Sequence, residues 1–162
     1  MTAISRPVPA QVDLQLRRQQ ADAFLTFSRI LRGLERRVAA LLHEHGLADV
    51  TPAQANVLMV LFQERRPLTA RHLAERMAIS QPTVGRFIHA LERQGWIDRR
   101  PDPDDSRAML VEPTRKAFAA LPRFIQVSNT LLDVAFAGFS PQRVARIART
   151  TQQIEQNLET EG

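Results

Sequence analysis

Ser80-Gln81-Pro82-Thr83, with Arg86 one helical turn further on, is the stretch of this chain whose side chains could do the most specific chemistry. If a helix starts at Ser80, its first turn presents the Gln81 amide and the Thr83 hydroxyl, and the Arg86 fork follows. These groups can donate to or accept from the rims of nucleobases, and Pro82 offers an apolar face to a thymine methyl. A second set, Asp105 and Arg107, ends a turn-rich segment and stands two residues apart. On a strand that spacing puts both on one face, so the carboxylate can hold the guanidinium extended, a shape suited to a narrow minor groove. In a third set, Thr69 and Arg71 open a helix whose N–H groups and positive dipole can face a phosphate, and Arg99 and Arg100 precede the turn-rich segment. Phosphate positioning is expected of those four. The plainer alternatives are solvated helix polars for Gln81 and Arg86, a surface ion pair for Asp105 and Arg107, and ordinary solvated charges for the third set.

Other chemistries lack their residues. With no cysteine in the chain, disulfides, thiolate catalysis and thiol ligation of metals are excluded. His43-Glu44-His45 sets two histidines two apart on a helix, where they point to different sides, whereas helical ligand pairs stand three or four apart. No metal and no cofactor are expected. A nucleophile elbow, a phosphate-cradling glycine loop and paired carboxylates tied to a histidine base are all missing, so the chain is not expected to be an enzyme.

The 162 residues, 44% hydrophobic and 24% charged, suit one domain or a compact pair of lobes. Basic residues outnumber acidic ones 22 to 17, a formal +5 that favours an anionic partner, nucleic acid ahead of acidic membrane. Lys116 is the sole lysine, so nearly all of the positive charge sits on planar arginine forks. No apolar run approaches the ~18 residues of a membrane span, and Met1 to Ala10 carries no apolar core of signal-peptide length. A cytoplasmic, non-membrane protein with a flexible segment over 1–12 is the expectation.

The elements that must position these residues follow from spacing. From Asp22 to His45, Phe24, Phe27, Leu31, Leu34, Val38 and Leu41 recur at steps of three and four, and Gly46 stops the helix. After Ser140-Pro141, an N-cap with proline at the first helical position, Val144, Ile147, Thr151, Ile154 and Leu158 repeat the step. A third amphipathic helix spans Lys116 to Phe139, with Pro122 expected to bend it. Seams of this kind at both ends of a chain favour pairing with a second copy, packing within one chain being the alternative. Between them, Thr51-Pro52-Ala53-Gln54 opens a helix with a capping box, Thr69 caps a short one, and Ser80 caps another that runs to Gly95. Trp96 to Arg100 and Ala108 to Val111 are strand candidates joined by the turn-rich segment.

A helix-turn-helix followed by a hairpin is a winged helix. The run Leu73-Ala74, Ser80-Gln81-Pro82-Thr83-Val84-Gly85-Arg86, Leu91-Glu92-Arg93-Gln94-Gly95-Trp96-Ile97 and Arg99-Arg100-Pro101-Asp102-Pro103-Asp104-Asp105-Ser106-Arg107 closely resembles the multiple antibiotic resistance regulator (MarR) family. The likeness spans nearly the whole chain. It departs at Pro113-Thr114-Arg115-Lys116-Ala117, where the family usually has Leu-Thr-x-x-Gly, and at Gly85, where serine or threonine is common. The resemblance implies a mainly α (α+β) fold, a winged helix-turn-helix with N- and C-terminal helices forming a dimerisation lobe. In these terms 13–46 is a dimerisation helix, 47–115 the DNA-binding domain and 116–162 the C-terminal dimerisation helices. It also implies a homodimer on a pseudo-palindromic operator in double-stranded DNA, most often as a repressor released by a small, often aromatic or anionic, effector. Phe27, Met59 and Phe62 are then candidates to line the effector pocket, with plain core packing as the alternative. A rival function on the same fold is architectural or non-specific DNA binding.

Overall fold

The computed structural model describes residues 13–160, so the expected flexible segment 1–12 lies outside the described residues. The chain divides into two compact units, one ending at Arg36 and the other beginning at Arg37.

Helix α1, Leu14–Glu44, makes up nearly all of the described residues of the first unit and continues into the second. It starts earlier than the apolar stripe from Asp22 implies, because the Asp13 carboxylate accepts the backbone N–H groups of Gln15 (3.0 Å) and Leu16 (3.1 Å) and so caps the helix. Within the first unit the stripe is open to solvent, with Phe24 69% and Leu31 59% exposed.

In the second unit the end of α1 contributes Leu41 and Leu42 to the core. Helix α2, Pro52–Glu64, opens on the expected capping box: Thr51 Oγ1 accepts from the Gln54 N–H, and Gln54 Oε1 accepts from the Thr51 N–H. Its last turn ends on Arg65, in the left-handed region at φ 53°. Strand β1, Leu68–Thr69, runs directly into α3, Ala70–Met77, and Thr69 is both strand residue and helix cap. Ala78 at φ 52° makes the turn, its N–H on the carbonyls of Ala74 and Glu75. A non-glycine residue there costs about 1–2 kcal/mol of local strain. Ser80 then caps α4, Gln81–Arg93, and Gly95 at φ 74° ends the turn after it.

Strands β2, Ile97–Pro101, and β3, Met109–Pro113, form the hairpin, displaced by about one residue from the sequence expectation. The antiparallel sheet has the order β1-β3-β2, with Leu68 opposite Val111 and Arg99 also opposite Val111 on its other side. Leu58, Leu61, Leu68, Leu73, Val84, Leu91, Ile97 and Val111 close the core between the three helices and the sheet. Trp96, 2% exposed, meets Phe124 edge-on at 5.8 Å between ring centroids.

Helix α5, Arg115–Ala135, contains Pro122 and stops before Phe139, because Gly138 takes a left-handed turn at φ 74°. Helix α6, Pro141–Thr160, begins on a Ser140 cap. Its outward residues include Ile147, Ile154 and Leu158, the last 76% exposed. No helix of the described residues is long and apolar enough to cross a membrane.

Candidate nucleic-acid interface

The first two turns of α4 are tied together by their own side chains. Ser80 Oγ lies 2.8 Å from Thr83 Oγ1 and accepts the Thr83 N–H, and Arg86 Nη2 donates to Thr83 Oγ1 at 3.3 Å. Thr83 is half-buried, while Gln81, Pro82 and Arg86 are exposed. The network therefore fixes Arg86 against the helix and leaves Gln81 and Pro82 projecting at its tip. Gly85 sits one turn behind them, and a Cβ added there would meet nothing within 4 Å.

A concave cleft of about 650 Å³ opens between the start of α3, the start of α4 and the hairpin. Thr69, Arg71, Gln81, Arg99, Asp105 and Arg107 all line it, so residues far apart along the chain converge on one surface. Ser80, Pro82, Thr83, Arg86 and Arg100 lie outside its lining. His72 also lines it, its Nδ1 3.0 Å from Thr69 Oγ1.

The arginines of the cleft differ in how they are held. Arg99 grips Glu92 of α4 bidentately, Nη2 to Oε2 at 2.6 Å and Nε to Oε1 at 2.9 Å. That hydrogen-bonded pairing lowers the Glu92 carboxyl below its ordinary range and raises the Arg99 guanidinium. Arg71 pairs one turn along with Glu75 at 2.9 Å, and Arg100 stands 3.7 Å from Glu112 on β3. Arg107 is exposed, and its guanidinium has no ion pair or hydrogen bond among the described residues.

The strand reading of Asp105 and Arg107 needs correction. Both lie in the loop joining β2 to β3, and Asp105 Oδ1 accepts the backbone N–H of Arg107 at 2.9 Å rather than clasping its guanidinium. Asp102 Oδ1 does the same to the Asp104 N–H, also at 2.9 Å. Short carboxylates satisfy turn N–H groups two residues on, so the acids shape the loop and leave the arginine head outward.

Of the three aromatic and sulfur side chains considered for an effector, Phe27 is exposed on the first unit's helix. Met59 and Phe62 are half-buried against the core of the second. Phe62 packs on Phe118 (5.6 Å) and Phe124 (6.3 Å) and lines a smaller cleft of about 250 Å³ with Phe118, Pro67 and Pro113. Met59 is not part of that lining.

One cluster has no counterpart in the sequence reading. Trp96 Nε1 donates to Asp49 Oδ2 at 2.9 Å, and Lys116 Nζ donates to the same oxygen at 3.2 Å. Lys116 Nζ also donates to the Gln94 carbonyl at 2.8 Å and sits 4.0 Å from the centre of the Trp96 ring. Gln94 Nε2 returns a bond to the Asp49 carbonyl at 2.8 Å. Thr114, at the departure from the family pattern, caps α5 and donates its hydroxyl to the carbonyls of Gly95 and Trp96. Only the unusual singleness of Lys116 and Trp96 marks this cluster in the sequence.

Comparison with known proteins places this geometry. Residues 50–109 match the model of the MarR family. The chain is similar to YybA of Bacillus subtilis, an uncharacterized HTH-type transcriptional regulator, with 26% identity over 68% of this chain and 73% of that protein. It is also similar to the HTH-type transcriptional repressor IacR of Pseudomonas putida, with 27% identity over about half of each chain, 48% and 47%. Among solved structures, a MarR mutant from E. coli complexed with operator DNA superposes with a TM-score of 0.67 at 22% identity, over 82% of this chain and 96% of that one. A likeness at that identity is one of fold, and the fold is the winged helix described above. The segment that matches the MarR family model runs from the end of the α1–α2 loop to Met109 at the start of β3, and the winged-helix fold is shared with that solved structure over 82% of this chain.

Proposed function

We propose that this chain is a homodimeric transcriptional regulator whose two subunits grip a short pseudo-palindromic operator. Each subunit lays α4 in the major groove and the loop between β2 and β3 in the adjacent minor groove. The observation that carries this is the cleft in which Thr69, Arg71, Gln81, Arg99, Asp105 and Arg107 converge. Gln81, Pro82 and Arg86 read base rims, with Ser80 and Thr83 holding Arg86 in place. Arg107, shaped outward by Asp105, enters the minor groove. Thr69, Arg71 and Arg100 take phosphates, and Arg99 offers Nη1 to another while Nε and Nη2 hold Glu92.

The dimer is supported by Phe24 and Leu31 on α1 and by Ile147, Ile154 and Leu158 on α6, apolar surface of a kind that marks contact sites. Residues 13–46 and 116–162 form the pairing lobe and 47–115 the reader, the two readers standing about 34 Å apart. The IacR and E. coli MarR relatives support a repressor on an operator. Release by a small aromatic or anionic effector is supported by the cleft at Phe62, with Met59, half-buried against the same core, as a further candidate contact.

Selection from a random duplex library tests the reading. The expected product is an inverted repeat with half-site centres about one helical turn apart, bound about 10³-fold or more tighter than random DNA. Equal recovery of all sequences would make the protein an architectural binder.

A further inference from the structure

Lys116 is the only side chain of α5 that reaches both a carboxylate and a backbone carbonyl of the reader while covering its tryptophan. Apolar packing of Ala117, Ala120, Phe124 and Val127 holds α5 against the core, but such packing is non-directional. The contacts of Lys116 are directional, as are those of the Thr114 cap to the Gly95 and Trp96 carbonyls and of Arg123 to the His45 and Gly46 carbonyls, but Lys116 alone of these three reaches a carboxylate. Asp49 leads into α2, Gln94 closes α4 and Trp96 heads β2, so one ammonium ties α5 to the three reader segments that meet at the rear of α4.

From these contacts we infer that Lys116 is a positioning residue that fixes the attitude of the reader to α5, and through it the half-site spacing the dimer accepts. The inference rests on the operator reading above. Its leverage follows from α4 itself. Gln81 lies 13 residues before Gln94, about 20 Å along a helix at about 1.5 Å per residue. A swing of about 10° at the Gln94 end moves the Gln81 tip by about 3.4 Å, the rise of one base pair. Slack of that size at the joint would absorb the translational part of a one-base-pair change in spacing, and so soften the spacing preference, while leaving the base contacts of α4 intact.

Two substitutions separate charge from shape. Lys116→Met keeps the stem over Trp96 and removes the ammonium. Asp49→Asn keeps an acceptor for the indole and removes the carboxylate charge. Trp96 is the chain's single tryptophan and the chain has no tyrosine, so intrinsic emission reports on this joint alone. The experiment measures affinity for the selected operator and for versions with one base pair added or removed between half-sites. Each such change shifts one half-site by about 3.4 Å and turns it by about 35°. The wild type is expected to lose about tenfold or more in affinity per step, and both variants about threefold or less. Base preference within each half-site and dimer mass should be unchanged and Trp96 emission shifted. If the wild type discriminates spacing and a folded variant of either kind discriminates it equally, the joint does not position the reader and the inference fails alone. If the wild type shows no spacing preference, the operator reading fails and the inference with it.

Discussion

Arg107→Ala is the perturbation the geometry makes cleanest. The guanidinium has no partner among the described residues, so its removal strands no buried or paired group. Asp105 holds the backbone N–H of residue 107, which alanine retains, so the loop keeps its shape. The cost in the free protein is that of an exposed substitution, within about 0.5 kcal/mol, or about 1–2 °C in melting temperature for a chain of this length. In the complex, a minor-groove arginine is worth about 1–3 kcal/mol, a loss of about 5- to 150-fold in operator affinity. Binding isotherms at fixed salt, set beside a thermal melt and a sedimentation profile, read both quantities. Unaltered affinity would refute the wing assignment, and a melting shift of several degrees would refute the claim that Arg107 is free of internal contacts. Arg99→Ala is the contrasting case, because it strands the Glu92 carboxylate and loosens β2 from α4 as well as touching DNA.

Arg86→Ala should relax preference at particular base pairs by about 1–3 kcal/mol each, whereas Arg71→Ala should weaken all sequences alike and lower the salt slope by about one, a contrast read in one operator library with a salt titration. Sedimentation should give a dimer for the wild type at micromolar concentration and a lighter species for Leu31→Glu, which places a charge in the exposed seam of α1. Glu92 is held below its ordinary range when folded, so its pairing with Arg99 stabilises fully above that range and the contribution disappears as the pH falls through the lowered value. The stability gap between wild type and Glu92→Gln should therefore be constant above about pH 5 and close on further acidification, as followed by denaturant unfolding at several pH values. Thr51→Ala removes the hydroxyl half of a complete capping box and should cost about 1 kcal/mol in the same assay.

Helix starts were the most legible feature of the sequence, because caps are local chemistry. Thr51, Thr69, Ser80 and Ser140 each cap the helix their spacing implies. Strand β1 is not legible in the sequence, since two residues carry no period and Thr69 carries the signal of a helix cap. The left-handed turns at Arg65 and Ala78 use residues that do not advertise positive φ. In the candidate interface, residue types and order were readable, but pairing was not. Arg99 meets Glu92 around a helix–strand corner seven residues away, and Lys116 meets Asp49 across 67 residues, distances at which sequence spacing carries no geometric information. The role of Asp105 is not legible from spacing, because a two-residue step serves a strand face and an Asx turn equally well.

Because β3 lies in the middle of the sheet, β2 has one flank of backbone N–H and C=O groups with no strand beside it among the described residues. Such a flank is a template on which another chain can add a strand, and proteins blunt it with charge and proline. Here Asp98, Arg99 and Arg100 are exposed and Pro101, which lacks an N–H, closes the row. The arginines assigned to phosphates are thus also gatekeepers against edge-to-edge aggregation. Redesigning the hairpin for a new operator by exchanging them for β-branched residues would remove that protection. The resulting failure would surface as insoluble protein, easily mistaken for lost recognition.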